Sequence, residues 1–297
     1  MLSTSVPVKA ISTHVRTRLW IRLIYLSLPL CVVLAGCTEG ERVVLGKYDY
    51  PHNISRNDCQ PDERTGQAGA TDGDKTVKGI KYNVRTPANY DRRVAHPLRV
   101  VYPAAGRSQA ETERMTGLTE PATRAGFVIA YAEHRRTSIP LIIELSTIPN
   151  RITEKWCIDK QRIYLTGHSD GGTVALAMAI LDQTKQIPAG IAPSAAGFTG
   201  ADLAQYACPA PVPVMIMHSA NDSLFPGFGS EVAAWWAACN KCAPSPTESI
   251  ANGCSAYPNC ADGVATLYCE GTEQHARWPD LNDAVIDFFR SAELREE

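Results

Sequence analysis

The stretch TGHSDGG, residues 166–172, sets a serine between glycines two places before and two places after it: Gly167, Ser169 and Gly171, the spacing G-x-S-x-G. A serine hydroxyl attacks a carbonyl carbon only if a base takes its proton and the backbone exposes the oxygen. Glycines at these two positions serve the second need, because a strand and a helix can then approach closely around a sharp turn that carries the serine. Strand-like RIYLT stands before the motif and helix-like TVALAMAI after it, in the order such a turn requires. An incidental serine in a glycine-rich turn would require neither. The chemistry implied is acyl transfer through Ser169, with the N–H of Asp170, at the start of the helix, directed at a developing oxyanion.

A serine nucleophile needs a base, and the base needs an acid to orient it. On an alternating strand–helix scaffold these partners follow the serine in the order Asp/Glu, then His, each after a later strand. Two histidines lie downstream of Ser169. His218 falls inside the apolar run VMIMHS and reads as a structural histidine beside the site. His275, in the polar loop TEQHARWP after the strand-like VATLYCEG, is placed as the base. Asp222, in SANDSLFP directly after VPVMIMH, is placed as the acid; the competing reading is an Asn-Asp turn. Asp170 is adjacent to the serine and faces the wrong way for that role. Asp280 and Asp283 come after His275 and break the order.

The elements that must position these residues alternate along the chain. GIKYNVRTP, PLRVVYP, FVIAYAEH, RIYLT, AGIAPS, VPVMIMH and VATLYCEG read as strands. ETERMTGLTEPATRAG reads as a helix ending at Gly126, and SIPLIIELSTIPNRITEKW holds the next. GTVALAMAILDQ, SEVAAWWAAC and LNDAVIDFFRSA follow as helices. Such alternation implies βαβ units around a mostly parallel sheet. Residues 240–263, rich in Cys, Pro, Asn and Gly, read as an insertion held by disulfides.

The N-terminus reads differently. Lys9, Arg16, Arg18 and Arg22 precede an apolar run from Leu23 to Cys37, with no acidic residue before Glu39. The run is short and interrupted by proline, which suits a signal-peptide core better than a membrane span. LAGC, at residues 34–37, resembles a bacterial lipobox, in which Cys37 becomes the lipidated first residue and a membrane anchor. The expected organisation is a signal peptide over 1–36, a polar tether over 37–75 and a catalytic domain over 76–297, exported and lipid-anchored in the cell envelope or secreted. Residues 1–36 hold four of the 29 basic side chains and none of the 31 acidic ones, so the remainder carries a formal charge of −6. With no basic patch, nothing points to nucleic acid. Beyond Cys31 and Cys37, eight cysteines remain, an even number that fits up to four disulfides in an exported chain. CNKC lacks the second cysteine pair or His-x-His cluster of a zinc site, so no metal is expected.

IDKQRIYLTGHSDGG, AGIAPSAAG, CPAPVPVMIMHSANDSLFP and HARWP resemble the esterase family that unites secreted polyhydroxybutyrate depolymerases with feruloyl and acetylxylan esterases. The resemblance runs over roughly residues 78–290, including YNVRTPANYD, PLRVVYPAAG and AGFVIAYAEH. It implies an α/β-hydrolase fold, hydrolysis of a polymeric or small ester without a cofactor, and Ser169, Asp222 and His275 as triad. Where the family usually has His-Gly, a small residue and glycine after the third strand, this chain has Pro103, Ala104, Ala105 and Gly106; by position Ala105 supplies the second oxyanion N–H. The family also pairs a cysteine after its Trp-bearing helix with one near the last strand, which implies a Cys242–Cys269 bridge. Two other readings share these residues: a serine peptidase of the same fold, and a non-catalytic surface binding protein on a hydrolase scaffold, motivated by the altered oxyanion loop.

Overall fold

The computed structural model describes residues 43–55, 58–60, 63–247 and 253–293. The signal peptide and Cys37 lie outside the described residues. Nine strands form one sheet: β1 (Ala70–Lys75), β2 (Lys81–Arg85), β3 (His96–Tyr102), β4 (Val128–Ala132), β5 (Ile158–His168), β6 (Gly190–Ser194), β7 (Val214–Ser219), β8 (Cys254–Tyr257) and β9 (Thr266–Gly271). Their spatial order is β1-β2-β4-β3-β5-β6-β7-β9-β8. The run from β4 to β9 is parallel, while β1 and β2 at one edge and β8 at the other are antiparallel.

The apolar runs of the sequence become the central strands because helices cover both faces of the sheet. Along β3, Leu98, Val100 and Tyr102 point into one core and Val101 into the other. The first core is closed by α3 (Ile139–Leu145), α4 (Ile148–Lys155), α5 (Asp170–Ile180), α6 (Gly200–Leu203) and α7 (Phe228–Cys239), through residues such as Leu145, Ile152, Leu176, Leu203 and Trp236. The second is closed by α2 (Thr119–Arg124) and α8 (Asn282–Glu293), through Ala122, Val285 and Phe289. Each such aliphatic side chain taken from water contributes about 1.5–3 kcal/mol. Arg99 of β3 is buried between the Phe127 and Phe289 rings, its guanidinium 5.0 and 4.6 Å from their centroids.

Four local expectations change. The helix expected to run to Gly126 is broken into α1 (Gln109–Thr116) and α2, because Gly117 caps α1 in the left-handed conformation, φ 60°. The segment from residue 43 to 75, expected to be tether, belongs to the compact unit Val43–Glu297. It is tied down by the pairing of β1 with β2, by the Cys59–Cys157 disulfide and by the Trp156 indole N–H donated to the Gln67 carbonyl at 3.0 Å. The insertion carries a strand, β8. That strand also corrects the expected Cys242–Cys269 bridge: it places Cys254 directly opposite Cys269 in the ladder, and these two are bonded. Cys242 pairs instead with Cys260, and Cys208 with Cys239. No helix among the described residues is long and apolar enough to cross a membrane.

Candidate active site

The turn between β5 and α5 is built by exclusion of side chains. Ser169 sits at φ 56° and ψ −117°, a conformation that costs a non-glycine residue on the order of 1–3 kcal/mol. A Cβ on Gly167 would lie 2.5 Å from the Gly171 backbone, and one on Gly171 only 2.0 Å from the Tyr102 carbonyl oxygen at the end of β3. Gly172 is equally constrained, since its Cβ would come within 2.4 Å of the Ser194 carbonyl oxygen at the end of β6. The G-x-S-x-G spacing names two of these glycines; the doubled glycine in the sequence was the signal for the third. The Ser169 N–H donates to the same Ser194 carbonyl at 2.9 Å, which fixes the strained residue from the β6 side. Ser169 is largely buried and Asp170 follows as the first residue of α5, with no intrahelical acceptor for its N–H.

The chain brings Asp222 and His275 to this serine from more than fifty and more than a hundred residues away, respectively. The His275 Nε2 is 2.8 Å from Ser169 Oγ, and its Nδ1 is 2.7 Å from Asp222 Oδ2. Asp222 Oδ1 accepts the backbone N–H groups of Leu224 and Phe225, both at 2.9 Å. Burial alone would raise the pKa of this carboxyl. The hydrogen bond from His275 and the two backbone donors outweigh that penalty and hold it below the ordinary aspartate value. An ionised, acceptor-only carboxylate assigns the proton of His275 to Nδ1, so Nε2 presents a lone pair to the serine hydroxyl. The Phe225 ring stands edge-to-face against the imidazole at 5.0 Å and stacks on Phe228 at 5.4 Å.

His218 lies beside this set. Its Nε2–H donates to the Phe225 carbonyl at 2.9 Å and stands 3.7 Å from Asp222 Oδ2, while α7 packs on it through Gly229. Asp280 and Asp283 form no hydrogen bond with either histidine. The Asp170 side chain turns away from His275 and accepts from His134 Nε2 at 2.9 Å. His134 also donates its backbone N–H to the Arg107 carbonyl at 3.0 Å, so one residue just past β4 joins the serine turn to the loop after β3. Sequence reasoning missed His134; its only signal was a histidine at the C-terminal edge of a parallel strand.

The loop after β3 runs Pro103, Ala104, Ala105, Gly106 and closes as a turn, with the Arg107 N–H on the Ala104 carbonyl at 3.1 Å and Gly106 at φ 73°. In this turn the Ala105 N–H makes no backbone hydrogen bond among the described residues. Helix α1, immediately after the loop, starts with a capping box between Ser108 and Glu111 and is anchored by a buried ion pair. Arg85 of β2 donates to both carboxylate oxygens of Glu113, at 2.8 and 2.7 Å, and Thr119 Oγ1 donates to the same carboxylate at 2.7 Å. Behind the loop that carries His275 lies a cavity of about 270 Å³, lined by His168, Ser194, His218 and Leu281 among others.

The strand order, the strained serine between β5 and α5, and the acid and histidine after β7 and β9 together specify one architecture. Solved structures agree over most of the chain. An acetyl xylan esterase from Aspergillus awamori superposes with a TM-score of 0.57 at 14% identity, covering 76% of this chain and 99% of that one. This chain has the α/β-hydrolase fold. A ferulic acid esterase from Anaeromyces mucronatus also superposes, with a TM-score of 0.54 at 15% identity, over 82% of this chain and 99% of that one. No family model matches the sequence. Among curated proteins, "Putative esterase NocK" of Nocardia uniformis subsp. tsuyamanensis is 30% identical over 184 residues, 57% of this chain. The match spans about half of that relative, 52% of its length.

Proposed function

We propose that this α/β hydrolase is a carboxylic ester hydrolase that works through an acyl-enzyme on Ser169. The observation that carries the reading is the unbroken hydrogen-bond path from Ser169 Oγ through His275 to Asp222, with a 2.8 Å and a 2.7 Å step, on the strained turn at the C-terminal edge of the sheet. His275 Nε2 takes the Ser169 proton as Oγ bonds to the ester carbonyl carbon. The N–H groups of Asp170 and Ala105 receive the oxyanion. Collapse of the tetrahedral species breaks the bond to the alcohol, which leaves with the proton held on Nε2. Water then attacks the acyl-enzyme, passes a proton to Nε2, and the acid is released as Ser169 recovers its hydrogen. Asp222, ionised below its ordinary pKa, stabilises the imidazolium formed in both halves.

The finer reading, an enzyme of the polyhydroxybutyrate depolymerase and feruloyl esterase kind, is supported by the aromatic rings beside the imidazole, Phe225 and the Phe228 stacked on it. Export is supported by four disulfides, which persist in an oxidising compartment, and a lipid on Cys37 by the LAGC sequence at residues 34–37. Loss of membrane association in Cys37→Ser would test the anchor.

The test of the activity is hydrolysis of p-nitrophenyl esters by wild type and Ser169→Ala, with fluorophosphonate labelling in parallel. The variant should lose roughly 10⁴-fold or more in kcat and all labelling. Equal rates for the two proteins would overturn the assignment. A panel of feruloyl, acetyl, short alkyl and hydroxybutyrate esters reads the substrate class.

A further inference from the structure

His168, the residue before the nucleophile, takes no part in the proton path above, yet its side chain reaches the loop of the base. The residue is 2% exposed. Nε2 lies 2.6 Å from the backbone carbonyl oxygen of His275, and Nδ1 lies 3.0 Å from Ser194 Oγ. A carbonyl only accepts, so Nε2 carries the hydrogen; Nδ1 is then a lone pair, and the Ser194 hydroxyl donates to it. The ring also lies 5.5 Å from that of His275 and 6.2 Å from that of Trp278. The carbonyl thus selects the neutral tautomer with hydrogen on Nε2, the Ser194 hydroxyl accommodates it, and burial keeps the ring neutral by lowering its pKa to about 4.

The loop that His168 grips is otherwise weakly held. It arches over the cavity behind the site, and it is tied at its near end by Asn221 Nδ2, which donates to the Thr272 carbonyl at 2.6 Å, and by Ser219 Oγ on the Glu273 carbonyl. Its own turn closes with the Arg277 N–H on the Gln274 carbonyl at 2.9 Å. Among the described residues, the main chain of His275 itself is hydrogen-bonded only by His168. A base must be held within a fraction of an ångström of its proton donor, and its own side-chain bond to Asp222 fixes the ring at one end only.

We infer that His168 is a positioning residue: by gripping the carbonyl of His275 from the strand that carries Ser169, it sets the distance between base and nucleophile. The proposal rests on the reading of Ser169 and His275 as nucleophile and base. The same strand end therefore holds both reacting partners, Ser169 through the main chain and His275 through the His168 ring.

Gln and Met have nearly the same length and shape, but only Gln can donate to the carbonyl. In the full-length chain, His168→Gln should keep kcat for p-nitrophenyl acetate within about threefold of wild type, while His168→Met should lose about 10- to 100-fold with KM changed less than about twofold. Fluorophosphonate labelling should slow in the same ratio. Equal kcat values for the two variants at matched thermal stability, or a change confined to KM, would overturn the proposal. Should the Met variant not fold, nitrogen-15 NMR of wild type at neutral pH decides: a proton on Nε2 supports the clamp, and a proton on Nδ1 rules it out. A wild type that neither turns over ester nor labels would instead bring down the triad reading, and the clamp with it.

Discussion

Gly171 and Tyr102 touch so closely that a Cβ on the glycine would sit 2.0 Å from the tyrosine carbonyl oxygen. The contact is between two backbones, so no rotamer change relieves it. Gly171→Ala must push α5 away from β3 and with it the Asp170 N–H from the loop after β3. We expect a loss of about 3 kcal/mol or more in unfolding free energy, since overpacking of this kind costs 1–3 kcal/mol even where side chains yield. Activity should fall further than stability. Urea titration and ester turnover measured on the same preparation check both.

Asp222→Asn separates charge from shape. Asp222 Oδ1 accepts two backbone N–H groups and Oδ2 accepts the His275 Nδ1–H, so an amide must set its NH2 against donors on one side or the other. The imidazole is then driven to the tautomer with hydrogen on Nε2, which cannot take the serine proton. A fall of roughly 10³–10⁴ in kcat with a nearly unchanged fold is expected, measured by turnover and circular dichroism.

Arg85 and Glu113 hold α1, and therefore the loop after β3, against β2. Removing one buried charge strands the other. Glu113→Gln should cost about 3 kcal/mol, the low end of the 3–5 kcal/mol range because Asp72 also contacts Arg85, at 2.7 Å. The double variant Arg85→Met/Glu113→Leu should recover most of that loss. Denaturant unfolding of the three proteins gives the answer.

Acid stability follows from His168. Its imidazole titrates near 6.5 in the unfolded chain and at about 4 in the folded one, because burial penalises the charged ring. Below 6.5 the unfolded state binds the proton first. Stability is thus full above that pH and is lost as pH falls towards 4, by roughly 3 kcal/mol in all. His96, also lowered by burial, acts in the same direction but is unchanged in His168→Gln. The difference between that variant and wild type isolates His168: the variant's unfolding free energy should fall less steeply between pH 6.5 and 4.

Much of the scaffold was legible in the sequence because central parallel strands are buried on both faces, so FVIAYA and VPVMIM stand out as apolar runs. The first edge strand did not. β1, ATDGDK, pairs on one side only and buries little, which left its sequence polar and its residues assigned to a tether. The break between α1 and α2 turned on the left-handed Gly117, which a helical pattern conceals.

The positions of Ser169, Asp222 and His275 could be named from the sequence because each follows an apolar strand in a fixed order, and because the glycine spacing at the turn is demanded by local sterics. Which cysteines meet could not, since pairing depends on the register of β8 against β9, and a strand inside a loop-rich insertion has no periodic signal. The same limit applies to His134 and His168. Their roles arise where they meet Asp170, Ser194 and the His275 carbonyl, groups up to 107 residues away, and only the packed sheet brings those groups within hydrogen-bond distance. Local sterics and strand burial are written in neighbouring residues; long-range hydrogen bonds are decided by the tertiary fold.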